Sequence, residues 1–188
     1  MKKILLIAAL VSLSPLAFAT TTIDFEQYSE YTQIINQYST LGATFQNAME
    51  LVAPDYDYTD YPAHSGSGVI TNDPNDPITV DFSTAITDVS GWYADPDGVI
   101  VTAYSGLDGT GTMLGVFNGA GVDGSDNEFT LTNLSDASSI TISDVGGNAD
   151  NEIVDDLGYT VTPEPDSLIL LGTGLLGLVG MMRRKLHR

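Results

Sequence analysis

Between residues 4 and 182 this chain contains no lysine and no arginine. All six basic residues sit at its ends (Lys2, Lys3, Arg183, Arg184, Lys185 and Arg188), while all 25 Asp and Glu lie between Asp24 and Asp166. The segregation limits what the middle can fold into. A carboxylate buried there has no Lys or Arg to pair with, and an uncompensated buried charge is costly. It must reach solvent, accept backbone N–H groups, or share a hard cation. His64 is the only side chain between residues 20 and 166 that becomes cationic near neutral pH. Nucleic-acid and phosphate ligands are excluded, because neutralising a phosphate backbone takes Lys and Arg. A surface this acidic repels itself and attracts cations, so salt or divalent ions help it stay compact. A saline habitat would account for the same composition. The chain also has no cysteine, which removes disulfides and thiolate metal sites.

Both ends read as targeting segments. Met1-Lys2-Lys3 is basic, Ile4–Leu13 is apolar apart from Ser12, and Ala17-Phe18-Ala19 has the small-x-small pattern of a signal peptidase site. The apolar run is too short for a permanent span, so residues 1–19 read as a cleaved signal peptide with Thr20 as the new N-terminus. At the other end, Pro163-Glu164-Pro165 breaks regular structure. Residues 167–182 then carry no charge, and the basic cluster follows. As a helix those sixteen residues reach roughly 24 Å, short of a ~30 Å hydrocarbon core but workable with snorkelling arginines. Basic residues after such a stretch stay on the cytoplasmic side, which places the preceding domain outside.

Pro163-Glu164-Pro165, the Gly/Leu-rich segment and the terminal basic cluster together resemble the PEP-CTERM sorting signal, over residues 162–188. The resemblance implies an exosortase as partner, a membrane protease that recognises the Pro-Glu-Pro region. It also implies transient anchoring in the inner membrane through the C-terminal helix, and a producing cell of the Gram-negative, exopolysaccharide-making kind. An ordinary single-pass anchor has no need of Pro-Glu-Pro directly before its helix.

The middle, residues 20–161, reads as almost all β. Expected strands are Thr21–Phe25, Thr44–Val52, Val69–Thr71, Pro77–Ser83, Ile86–Ala94, Val99–Ser105, Thr112–Asn118, Asn127–Leu134, Ser139–Asp144 and Ile153–Val161, with residues 28–41 irregular or a short helix. Asp/Gly/Pro/Asn clusters separate them as turns. The pattern predicts a two-sheet antiparallel β-sandwich, a jelly roll, and no repeat suggests a solenoid. Ile23-Asp24-Phe25-Glu26 and Ile153-Val154-Asp155-Asp156-Leu157 resemble the first and last strands of MAM-type and galactose-binding-like jelly rolls. That resemblance implies paired end strands whose acidic residues hold a structural cation. From the residues themselves, Asp155 shares period-two parity with Ile153, Leu157, Tyr159 and Val161, and so points inward. The expected calcium ligands are Glu26 and Asp155, with Asp24 and Asp156 behind them.

Two further acidic clusters stand out. Asp55-Tyr56-Asp57-Tyr58-Thr59-Asp60-Tyr61-Pro62 alternates carboxylates with tyrosines. Tyr56, Tyr58 and Tyr61 could stack on sugar rings while Asp57 accepts hydroxyl hydrogen bonds, although a solvated loop is the simpler reading. Asp123-Gly124-Ser125-Asp126-Asn127-Glu128 lacks complete EF-hand spacing and reads more simply as a surface turn. Trp92 and Tyr93 are consecutive and face opposite sides, with periodicity placing Trp92 inward.

Enzyme signatures are sparse. The segment Ala63-His64-Ser65-Gly66-Ser67-Gly68 has no Gly-x-Ser-x-Gly elbow, and one histidine is too few for a zinc site. The reading is an exported, non-catalytic surface or matrix protein that binds extracellular polysaccharide and associates with exopolysaccharide or biofilm. Its alternative is a secreted glycoside hydrolase with paired carboxylates.

Overall fold

The computed structural model describes residues 19–52, 62–72, 76–145, 153–162, 172–174 and 176–177, with the backbone alone described over 122–125. Thr20–Thr162 forms one unit, and Met1–Ala19 with Pro163–Arg188 forms another. Within the second, the described residues 172–174 and 176–177 are helical and exposed. Among the described residues no helix is long and apolar enough to cross a membrane, and the rest of the expected span lies outside them.

The first unit is nearly all β, and its strands, in order, are β1 Ala19–Ile23, β2 Gln33–Ile34, β3 Ala43–Gln46, β4 Ala48–Val52, β5 Gly68–Asn72, β6 Ile78–Asp95, β7 Val99–Tyr104, β8 Met113–Asn118, β9 Val122–Leu131, β10 Ala137–Asp144 and β11 Ile153–Val161. The long strand β6 makes the sandwich. Its first part, Thr79–Phe82, pairs with β3 on one side and β10 on the other. Its second part, Val89–Tyr93, pairs with β9 and β11. One continuous strand therefore serves both layers, as strands do when they turn a sandwich corner. One layer runs β3-β6-β10-β7-β8, and the other runs β2-β4-β5-β11-β6-β9 with β1 also on β11. The registers are antiparallel.

Alternating apolar residues from both layers meet between them. Phe25, Tyr38, Phe45, Val80, Phe82, Val101, Phe129, Ile140, Leu157 and Tyr159 are all buried in one cluster. Phe25 meets Tyr38 and Phe45 edge-on at 5.6 and 6.0 Å between ring centroids, the geometry that aromatic quadrupoles favour. A smaller cluster of Leu51, Val69, Ala94 and Ile153, covered by Met49 and Ala63, lies on the outer face of the second layer.

Several elements differ from expectation for local reasons. The expected strand 44–52 is two strands, because Asn47 takes a left-handed φ of 58° and redirects the chain. Asn tolerates this conformation better than most residues. Pro77–Ser83 and Ile86–Ala94 merge into β6. Asp123–Glu128 is not a turn but part of β9. Tyr93 is the inward residue, at 3 % exposure, and Trp92 lies on the outer face, half-buried. Pairing along β6 is irregular near Ile86, so Ile86 is in the core while Trp92, with the same parity, is not.

Candidate functional site

The acids expected from the two end strands do converge on one turn, residues 64–68, but from different sides. Just beyond β1, Phe25 adopts a left-handed φ of 52°, which swings Glu26 towards that turn. Glu26 Oε1 accepts the N–H groups of Ser67 and Gly68, each at 2.7 Å. Asp155 on β11 takes the other end. Its Oδ2 accepts the Ser65 N–H at 2.9 Å and its Oδ1 the Asp156 N–H at 2.7 Å. The Ser65 hydroxyl donates to Asp156 Oδ1 at 3.2 Å. Asp24 Oδ1 accepts the Glu26 N–H at 3.4 Å.

Asp155 is buried at 2 % exposure, yet not in the sandwich interior as simple alternation predicts. The β11 register slips between Asp155 and Gly158, and Asp156 takes a left-handed φ of 47°. The bulge changes parity. Leu157 and Tyr159 enter the main core, whereas Asp155 shares the outer face of Ile153, under the turn. Burial lifts its carboxyl to about 6, against the lowering effect of the amides it accepts.

The deepest carboxylate is one that the sequence reading passed over. Glu50 on β4 is fully buried, and neither of its oxygens has a hydrogen-bond partner. Desolvation, followed by the nearby charges of Glu26, Asp155 and Asp24, raises it to about 8. The signal was present: Glu50 shares the parity of inward Ala48 in an otherwise apolar strand, Ala48-Met49-Glu50-Leu51-Val52. Gly68 shows how close the surrounding oxygens come. A Cβ there would collide with the Phe25 carbonyl and stand 3.0 Å from Glu50 Oε1, while its N–H holds Glu26 Oε1. Glu26, Glu50 and the Phe25 carbonyl thus bring three oxygen-bearing groups to one glycine, the donor type that a hard dication such as calcium takes. No three carboxylate or imidazole residues among those described stand in a preformed metal arrangement, so the fit lies in the donor chemistry and in the two orphaned Glu50 oxygens.

The same turn carries a second feature. His64 stacks on Trp92 with ring centroids 3.6 Å apart and planes 6° from parallel, and its Nδ1 pairs with the Asp126 carboxylate. Asp126, expected in a surface turn, therefore anchors the histidine. The Ser65 and Ser67 hydroxyls go to Asp156 and Glu26, not to His64. Tyr56, Asp57, Tyr58 and Tyr61 lie outside the described residues, as do Pro163, Glu164 and Pro165.

Comparison with known proteins decides the character of the tail. Residues 161–185 match the PEP-CTERM protein-sorting motif. The motif makes this an exported protein, transiently anchored through its C-terminus and presented to an exosortase. No curated protein sequence matches the chain. The sandwich is similar in fold to the K2 cleaved adhesin domain of Lys-gingipain, at TM-score 0.53 and 15% identity over 75% of this chain and 99% of that one. It is also similar to the K1 adhesin domain from Porphyromonas gingivalis W83, at TM-score 0.50 and 10% identity over 77% and 99%. A family 29 carbohydrate-binding module from Piromyces equi matches at TM-score 0.43 and 11% identity over 78% and 93%. At such identities the likeness to the two adhesin domains is one of fold.

Proposed function

We propose that the exported domain is a non-catalytic surface or matrix module that binds extracellular polysaccharide, with a calcium ion at the Glu26–Glu50 rim as a structural element. The observation that carries the reading is the pairing of a PEP-CTERM motif at residues 161–185 with a sandwich whose fold resembles an adhesin domain. An exosortase substrate of this kind is released or transferred outside the cell, where exopolysaccharide or a biofilm matrix is the available partner.

Calcium in this reading does structural work only. Glu50 and Glu26 would hold it, with the Phe25 carbonyl, while Asp24 and Asp155 add negative charge within electrostatic range. The ion would tie the end of β1 to β4 and to the 64–68 turn. A hydrolase role for the same acids finds no support. Glu50 has the raised pKa of a general acid, but its complete burial leaves no approach for a glycosidic oxygen.

Three measurements on protein purified from its producing cells test the reading. Affinity electrophoresis through gels containing the host's exopolysaccharide is expected to retard the protein, and a glycosidase screen to give no product. Free migration in every such gel, or turnover of any glycoside, overturns it. Intact-mass analysis is expected to show loss of residues 167–188. Finding them still attached would leave a plain anchor in place of exosortase processing.

A further inference from the structure

The outer face of the layer β9-β6-β11 carries a groove that neither the calcium rim nor the core explains. Thr20, Asp88, Ser90, Thr130, Gly158 and Thr160 are among the residues that line it, around a volume of about 80 Å³. The register builds it: Ser90 of β6 stands between Thr130 of β9 and Gly158 of β11, and Asp88 pairs with Thr160. Hydroxyls and one carboxylate therefore line up across three strands, and Trp92 sits two residues further along β6 on the same face.

Gly158 is the telling residue. A glycine inside a strand weakens it and often marks close approach of a ligand. Backbone conformation does not demand glycine here, since Gly158 is not among the residues with positive φ. Core packing does not demand it either. A Cβ would press on the Ser90 hydroxyl at 3.1 Å and meet the Thr22 hydroxyl at 3.8 Å, and of these two Ser90 lines the groove. A side chain at 158 would press on the Ser90 hydroxyl, so glycine lets that hydroxyl keep its place in the groove.

The groove's polar groups are also only partly used. Thr20 and Thr160 share one long contact of 3.3 Å, and the Thr130 hydroxyl reaches Glu128 at 3.4 Å. Asp88 accepts one hydrogen bond on each oxygen, from the Thr87 hydroxyl at 2.7 Å and the Asn133 N–H at 3.1 Å. A carboxylate oxygen can accept a second.

We propose that this groove binds the hydroxyl-bearing edge of a neutral hexose unit in a polysaccharide. Its volume of about 80 Å³ has room for several water-sized groups, such as a hydroxymethyl arm and a ring hydroxyl. Ser90, Thr130 and Thr160 can donate or accept, and Asp88 accepts from sugar hydroxyls. Uronic and sulfated sugars are disfavoured because residues 20–166 carry 25 Asp and Glu and no Lys or Arg, an excess that the single α-ammonium left on Thr20 by signal cleavage does not offset. The proposal rests on the polysaccharide-binding reading above and gives it a location.

The test uses exported protein carrying Gly158→Leu, which fills the groove, or Ser90→Ala/Thr130→Val, which removes two hydroxyls with little change of volume. Each is run by affinity electrophoresis against a mixed-linkage β-glucan, a mannan and a galactan, with polygalacturonate as the anionic comparison. Trp92, the chain's one tryptophan, reports binding by fluorescence. Wild type is expected to be retarded by at least one neutral polymer and not by polygalacturonate. The double variant should bind at least tenfold more weakly with an unchanged melting temperature, and Gly158→Leu should lose binding if it folds. Wild-type retention that persists undiminished in the folded double variant overturns the groove and leaves polysaccharide binding standing elsewhere on the domain. Free migration of wild type in all three neutral polymers overturns the groove, and free migration in the host's own exopolysaccharide as well removes the broader reading.

Discussion

Glu50 and Asp155 are sealed from water in neighbouring parts of the sandwich, and they meet burial in opposite ways. Asp155 lies beneath the 64–68 turn, and the turn's N–H groups supply what a missing arginine would have supplied elsewhere. Glu50 lies in mid-strand on the inward face. Its own N–H is spent on the Thr32 carbonyl at 2.9 Å, and its carbonyl accepts the Tyr31 N–H at 2.8 Å. Nearby Tyr38 cannot help: its hydroxyl is itself buried without a partner, and burial pushes its pKa up. A turn can solvate a carboxylate over the face it crosses, because turn amides are not committed to a ladder. A strand has none to spare. A domain without Lys or Arg is left with two remedies at Glu50, a proton or a metal ion.

The contrast predicts opposite signs for two near-isosteric substitutions in calcium-free protein. Glu50→Gln removes a carboxylate raised from 4.5 to about 8. The sign follows from the protons. Between pH 4.5 and 8 the folded chain keeps a proton that the unfolded chain has released, so stability falls as pH rises through that window and is level outside it. At pH 7 this amounts to roughly 3 kcal/mol, an upper bound on what Glu50→Gln can restore. Asp155→Asn does the reverse, since its amide turns an N–H towards a backbone N–H, at a cost of about 2 kcal/mol. Asp155 titrates in the same sense as Glu50, but between 3.8 and about 6. The discriminating measurement is denaturant unfolding in EDTA from pH 5 to 8. The slope between pH 6 and 8 should flatten in Glu50→Gln and survive in Asp155→Asn. Equal slopes in wild type and Glu50→Gln would break the comparison.

Calcium should then act on one carboxylate more than the other. An ion bound only by the folded state adds about 2.7 kcal/mol at 100 times its dissociation constant. General screening of 25 acids also raises stability, so magnesium at matched ionic strength is the control. Calcium is expected to raise the melting temperature above magnesium in wild type, not at all in Glu50→Gln, and at several-fold higher concentration in Asp155→Asn. Indistinguishable curves in the two ions would remove calcium from the rim and leave Glu50 to its proton.

Much of this was legible in the residues. Alternation and turn chemistry located nearly every strand, including Ile153–Val161 to the residue, because half-buried strands advertise themselves by period two. The composition gave the central problem, acids without bases. What escaped were the points where alternation slips. The bulge after Asp155 moved that side chain to the outer face, and the irregularity near Ile86 exchanged the places of Trp92 and Tyr93. Neither slip has a signature in the residue types, since each depends on the strand opposite. Glu50 was missed for another reason: one acid in an apolar strand is easily taken for an exposed position, and only the company of Ala48 said otherwise.

The smallest expected effect concerns the turn itself, and it asks whether the turn holds Asp155 or Asp155 holds the turn. His64 is the turn's outer attachment, stacked on Trp92 and paired with Asp126. A stacked aromatic pair is worth about 0.5–1.5 kcal/mol and a partly exposed contact with a carboxylate about 0–1 kcal/mol, so His64→Ala should cost about 1 kcal/mol. Trp92 emission should shift to the red as water reaches the uncovered ring. Because the amides that serve Asp155 belong to the backbone, they stay in place when the imidazole is removed. The pH slope attributed to Glu50 should therefore be untouched, and calcium should act at the concentrations it needs in wild type. If His64→Ala instead costs as much as Asp155→Asn and weakens the calcium response with it, the turn is held from outside by the histidine. Asp155 would then be a beneficiary of the turn rather than its anchor, and the contrast with Glu50 would rest on one side chain stacked against tryptophan.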